Sequence, residues 1–491
     1  LMQETLGSQL SALNRFGLPP RERFKILETL RKPIFAIETE SAKRYEGRPL
    51  PLAPVERKAL ELSCRIWREL ATGYLHCLRA CIDGDAALGE HHAKIAHRAL
   101  TSLRLEQISR YRGGAMVPQA WWPLLHATFV AAEQLGVAAT AISDRLLADT
   151  RESTPAGQYA MSVLLHLSRP HELTRSQFAA VQRWLARWRE QVRIHPGALP
   201  AGDARCVVID LGGTQPLPAA SVAPATGRWL VLDTVLGKIK QRAKDLREGK
   251  SPEELHLGNL LAVDACVTLL QFLHSALQAP PSMPSGSRNG APEIGIASTL
   301  DRIHHLLGGT PIQSQQEPTT LSNRKLHEQI AIFGHVVRDS GPSAEEQLER
   351  WQILAEAPGK LRLRLAADVP CERLSCRSLI AIKKTGDSPC LAILRSLATA
   401  EDGSLIATAQ PLSGKAVAVT AIGREKVTGR SQPLAAAFLP AAGDGSVPAS
   451  LFISAGTLSR LARLDAADLP GGLKPGPAFD RGANFERLRC E

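Results

Sequence analysis

The residues best suited to chemistry lie in the run Val208-Ile-Asp210-Leu-Gly212-Gly213-Thr214. A strand that ends in aspartate can deliver a carboxylate to a metal. A Gly-Gly-Thr turn lets backbone amides approach a phosphate. Gln215-Pro-Leu-Pro218 follows at once, and proline blocks a central strand. No second phosphate loop stands downstream, so a strand running into a turn is the better account. His91, His92 and His97, and the group His76, Cys77 and Cys81, raise the question of a metal. Cys-x3-Cys along a helix is not zinc-ligand spacing. Cys371 and Cys376 have no matching second pair. Helix packing and surface histidines explain these residues, and no metal site is expected. No nucleophile elbow, Walker A loop, dinucleotide fingerprint or His-Glu-x-x-His is present. No catalytic residues are assigned, and a non-enzymatic chain is expected.

The elements that would position such groups fall into regions of different periodicity. Residues 1 to about 200 read as helical. Leu60, Trp67, Leu70, Tyr74 and Leu78 recur at helical spacing after Pro54, and Asp83-Gly84-Asp85 breaks the run. A second helix carries Ile95, Ala99, Leu103, Ile108 and Tyr111 to Gly113-Gly114. Pro118 opens a third, stopped at Gly136. Thr174-Arg-Ser-Gln177 is a capping box ahead of Phe178, Val181, Leu185 and Trp188. Each helix has one apolar stripe, so the helices must pack on one another. An array with tetratricopeptide-like packing is expected, without a clean repeat period.

A mixed α/β module is expected over 203–308. Cys206–Ile209, Trp229–Leu232 and Glu293–Ile296 read as strands, with helices from Asp233 to about Gly249 and near 253–277. The Pro- and Ser-rich run after Ala279 reads as a loop. Residues 309–324 read as a flexible linker and about 325–337 as a helix. Leu361-Arg-Leu-Arg-Leu365 then alternates as a half-buried strand does. Short strands follow around Leu379, Leu391, Leu405 and Ala416, so a small antiparallel β-barrel is expected within 325–491. The fold class is therefore α+β and multidomain. At roughly 100–200 residues per domain, 491 residues imply about three units.

Net charge is +11, which permits an anionic partner without naming one. Lys238, Lys240, Arg242, Lys244 and Arg247 share one helix, but Asp245 and Glu248 are interspersed, and a solvated face is the better reading. Aromatic residues make up 4%, too few for an evident base-stacking platform, so nucleic acid is not the expected partner. No apolar run reaches the roughly 18 residues of a membrane span, and the N-terminus lacks a secretory pattern. The nine cysteines are irregularly spaced. Buried free thiols in a reducing cytoplasm suit them better than disulfides.

Two resemblances bear on function. The Asp210, Gly212, Gly213, Thr214 run resembles the first phosphate loop of sugar kinases of the actin-like ATPase superfamily, which would imply ATP turnover. The segment from Arg350-Trp351 through Ala355-Glu356-Ala357-Pro-Gly359-Lys360-Leu361-Arg362 resembles the opening of PilZ-type barrels. Those barrels bind cyclic di-GMP, and the strands after it keep the family's rhythm. The layout of helical region, α/β middle and barrel is similar to that of long proteobacterial PilZ-related proteins. Against the family pattern, Ala355 stands at the Asp position, Ala357 at the Ser position and Lys360 at the final Gly position. Arg350 stands alone upstream. The resemblance implies a regulator or adaptor in cyclic-di-GMP-linked behaviour such as pili, motility or surface attachment. It would meet protein partners through the helical region. Arg350, Lys360 and Arg362 would be the residues left to touch a ligand phosphate. A sugar kinase and a basic nucleic-acid binder are the alternatives. No cofactor is expected beyond cyclic di-GMP itself, whose usual contacts are replaced.

Overall fold

The computed structural model describes residues 2–147, 152–197, 205–214, 226–278, 292–310, 312, 348–441, 447–466 and 469–491. The chain forms two compact units. One is Leu1–Met283 with Ala398–Glu401; the other is Pro284–Leu397 with Asp402–Glu491.

The first unit opens with helices α1 (Met2–Arg15), α2 (Pro20–Ala42), α3 (Pro54–Ile82) and α4 (His92–Arg112). It continues with α5 (Trp121–Gln134), α6 (Pro155–Leu167) and α7 (Arg175–Trp188). Prolines open α2, α3 and α6 at first-turn positions, where a missing N–H breaks no helical bond. The capping box of α7 forms as the sequence implies. Thr174 Oγ1 accepts from the Gln177 amide at 3.4 Å, and Gln177 Oε1 accepts from the Thr174 amide at 2.9 Å.

The helices gather around α3 and α4 instead of stacking as a solenoid: α1 and α2 both lie on α3, and α5 and α6 both lie on α4. The reason is visible along α4, which buries polar residues as well as apolar ones: Arg98, Arg104 and Glu106 lie inside beside Leu100, Leu103 and Ile108. A helix buried on several faces is the centre of a bundle, not one rung of a solenoid.

A minimal hairpin, β1 (Ile142–Ser143) with β2 (Glu152–Ser153), lies between α5 and α6. Next comes a three-stranded antiparallel sheet of β3 (Arg193–Pro196), β4 (Cys206–Asp210) and β5 (Gly227–Val231), in the order β3-β5-β4. Helices α8 (Asp233–Arg247) and α9 (Val263–Gln278) complete the unit. The helix expected near 253–277 starts only at Val263, because His256 and Gly258 both have positive φ (58° and 82°). Ile209, Leu230, Leu236 and Leu270 share one core with Trp121, Leu164 and Leu185. The segment 203–308 is thus divided: its first part is built onto the helical bundle, and its last part belongs to the second unit.

That second unit holds a closed antiparallel barrel, ordered β10-β11-β8-β7-β6-β9. Its strands are β6 (Glu293–Ala297), β7 (Glu349–Ala357), β8 (Lys360–Leu365), β9 (Leu379–Lys383), β10 (Cys390–Thr399) and β11 (Leu405–Pro411). Leu361, Leu363 and Leu365 point inward with Trp351 and are buried. The barrel starts at Glu293, earlier than the expected 325, and ends by Pro411.

The rest of the chain is a separate six-stranded sheet. Its strands are β12 (Val417–Glu425), β13 (Ser431–Leu439), β14 (Ser450–Ser454), β15 (Leu461–Asp465), β16 (Pro475–Arg481) and β17 (Phe485–Cys490). Helix α10 (Leu300–Leu306) sends Leu300 and Ile303 into a core with Leu379, Ala381 and Ile393 of the barrel and Phe452 and Phe485 of the sheet. One side of the barrel is thereby covered. The expected linker at 309–324 (apart from 309, 310 and 312), the helix near 325–337 and the loop after Ala279 lie outside the described residues.

Candidate functional site

Strands β7 and β8 form the hairpin that carries Arg350, Lys360 and Arg362. Burial alternates along β8: Leu361, Leu363 and Leu365 lie inside, while Lys360, Arg362 and Arg364 face out. A register shift between Ile353 and Ala355 resets the alternation on β7. Ala355 therefore lies directly across from Arg362, and Ala357 across from Lys360. Gln352 lies across from Arg364, and Arg350 is one pleat further, beside Gly295 of β6.

The three predicted residues thus share one outer face. Arg350 and Lys360 are exposed, and Arg362 is half-buried. The Arg364 guanidinium is already held, by Asp402 at 2.5 Å and Ser404 Oγ at 3.3 Å. The Arg362 side chain has no hydrogen bond or ion pair among the described residues. Burial pulls its guanidinium below the ordinary arginine value. A half-buried cation with no carboxylate is ready to pair with an anion, because a new ion pair there displaces no existing one.

The Asp210 segment is built differently. Asp210 ends the edge strand β4, and its carboxylate accepts the Gly212 amide at 3.0 Å. The Gly213 amide donates to the Asp210 carbonyl at 3.0 Å. This is an Asx-type turn, in which the aspartate satisfies its own loop. The third strand of the sheet, β3, comes from upstream in sequence. Gly212 and Thr214 are exposed. The basic helix α8 also pairs within itself, Lys244 with Glu248 at 3.6 Å and Arg242 with Asp245 at 3.5 Å. All nine cysteines are free. Among the described residues, no group of three His, Cys, Asp or Glu side chains could hold a metal ion.

A cavity of about 340 Å³ lies in the first unit, between α2, α3, α4 and α7, and sequence reasoning missed it. Arg104, Arg112, Arg183 and Arg189 line it, together with Glu38 and Trp67. Glu38 is 4% exposed. Its Oε1 accepts from Gln3 Nε2 at 3.0 Å, while its Oε2 has no partner. Burial pushes the Glu38 carboxyl above the usual range. Trp67 meets Phe35 edge-on, with ring centroids 5.1 Å apart. Arg104 donates to Gln158 Oε1 at 2.8 Å, and Arg112 to Gln182 Oε1 at 3.4 Å. The Arg183 side chain has no hydrogen bond or ion pair among the described residues. Gly258 leaves it room, since a Cβ there would sit 2.4 Å from Nη1.

Residues 2–200 match the family model described as the N-terminal domain of the cyclic-di-GMP receptor FimW. The helical part of this chain is similar to that domain. The match ends just ahead of β4, so the matched residues include α1 to α7 and all of the cavity's arginines. It does not reach the barrel hairpin, whose resemblance was read from a different segment. No curated protein matches the chain, and no solved structure matches it. Among the described residues, no helix is long and apolar enough to cross a membrane.

Proposed function

We propose that this chain is a non-enzymatic regulator that binds cyclic di-GMP and acts on protein partners through its helical domain, in control of pili, motility or surface attachment. The observation that carries the reading is a match to the FimW N-terminal domain in one chain with a closed six-stranded barrel that has an unpaired arginine on its outer face. Arg350, Lys360 and Arg362 supply positive charge to phosphate. Ala355 and Ala357 supply neither the carboxylate nor the hydroxyl that would read a guanine edge. The barrel contribution is therefore phosphate-driven and salt-sensitive. The nine free thiols fit a reducing compartment, and a cytoplasmic location is part of the proposal.

The test is calorimetric titration of cyclic di-GMP into the full-length chain and its Arg362→Ala variant. A charge-assisted hydrogen bond contributes about 1.5–3 kcal/mol, so the variant should bind at the barrel roughly 10–100-fold more weakly. An Arg362→Ala isotherm that overlays the wild type would refute the barrel assignment.

A further inference from the structure

We infer that the cavity in the helical domain is itself a nucleotide site, with Glu38 reading a guanine edge and Arg112 and Arg183 holding phosphate. The inference rests on the reading of this chain as a cyclic-di-GMP receptor and adds a second, separate place for the ligand.

Charge comes first. Four arginines line the cavity against a single carboxyl, and burial disfavours ionisation of that carboxyl. Such a lining favours an anion. Arg183 has no partner within the described residues, and Arg112 is held only by a 3.4 Å bond to Gln182 and a 3.5 Å approach to Glu46. Both can turn to a phosphate without losing a strong bond. Arginine suits that role because its planar fork matches phosphate oxygens two at a time.

The ligand must also offer N–H donors. Glu38 is almost fully buried and keeps one oxygen without a donor, and an unsatisfied buried acceptor costs about 1–3 kcal/mol. An N–H edge reaching Glu38 would fill that place and favour its ionised form. Guanine offers such an edge in its ring N–H and exocyclic amine, whereas adenine's ring nitrogens only accept. Trp67 and Phe35, set edge to face, add aromatic rings to the wall that also holds Glu38. A volume of about 340 Å³ lies at the lower end of small-molecule sites. A cavity of that size suits one guanine nucleotide half, with the remainder of a cyclic dinucleotide outside it.

The experiment uses full-length protein and four samples: wild type, Arg183→Ala, Glu38→Gln and Arg362→Ala, each titrated with cyclic di-GMP. Arg183 is only partly buried, so Arg183→Ala retains the fold, which circular dichroism checks. The expected wild-type isotherm has two classes of site. Arg183→Ala and Glu38→Gln should each weaken one class roughly 10–100-fold, while Arg362→Ala leaves that class intact and affects the other. Isotherms of Arg183→Ala and Glu38→Gln identical to wild type would overturn the inference and leave the barrel site standing. Should wild type give no heat with cyclic di-GMP, the receptor reading fails, and GMP decides the cavity separately. GMP binding lost on Arg183→Ala would sustain the site; no GMP binding to wild type would remove it.

Discussion

Replacing Asp144 by asparagine should destabilise the first unit by about 3–5 kcal/mol. Asp144 is 2% exposed. Its Oδ2 accepts from Arg31 at 2.5 Å and from Arg98 at 2.6 Å, and its Oδ1 accepts the Leu146 amide at 3.2 Å. The same cluster holds Glu28, which meets Lys94 at 2.8 Å, Arg98 at 3.3 Å and Arg31 at 4.0 Å. Three cations thus face two carboxylates. Without the Asp144 charge, two buried guanidinium groups would depend on Glu28 alone, which also serves Lys94 and Tyr74. Arg98 already feels the strain: burial, then the neighbouring Arg31 charge, lowers its pKa.

The assay is equilibrium urea unfolding followed by tryptophan emission. Six of the seven tryptophans (67, 121, 122, 184, 188 and 229) lie in the first unit. At slopes of a few kcal/mol per molar, the midpoint should fall by roughly 1–2 M. Asp83→Asn is the control, since its pair with Arg79 is exposed and should contribute under about 1 kcal/mol. An Asp144→Asn midpoint no different from that control would refute the claim that this aspartate neutralises two buried arginines.

Two further outcomes follow from the same structure. Burial lowers the pKa of His166 and of His171 to about 4, with the charge of His166 adding to the shift at His171, and it lowers that of His97 to about 2. Their folded values lie below the unfolded 6.5, so the unfolded chain binds more protons between. The stability from keeping them neutral is full above about pH 6.5 and declines as pH falls, by up to about 1.4 kcal/mol per unit per histidine. Urea midpoints at pH 7 and pH 5 check this, and equal midpoints would contradict it. In the barrel, Leu363→Ala removes a fully buried side chain and should cost about 2–5 kcal/mol. The adjacent Arg362→Ala should change stability by less than about 0.5 kcal/mol. Thermal melts of the two variants separate the inner from the outer face of β8, and similar losses would overturn that assignment.

Local signals in the sequence were easy to read because they act over a few residues. The Thr174–Gln177 capping box, the Gly113 stop and the Leu361–Leu365 alternation all appear in the structure as their chemistry dictates. The hairpin brings Arg362 opposite Ala355 and Lys360 opposite Ala357, a pairing set by the register shift between Ile353 and Ala355. Long-range pairing was not readable. Strand β6 looks like part of an α/β module because α10 follows it, yet it closes the barrel between β7 and β9. Strands β12 to β17 continue the same short-strand rhythm, which does not distinguish one barrel from a barrel plus a second sheet. The cavity was hidden for another reason. Arginines on a helix usually mark its solvated face, but Arg104 and Arg189 are 5% and 2% exposed. Their helices pack polar side chains inward. The one available signal was an arginine on α4 set among residues with no consistent polar face.

The most direct test of the central claim is titration of cyclic di-GMP into the full-length chain, with the ligand recovered and analysed afterwards. The expected result is saturable micromolar binding that weakens with added salt, with the cyclic dinucleotide recovered intact. No heat at millimolar ligand would contradict the receptor reading, and recovery of a linear or cleaved product would contradict a binding-only role.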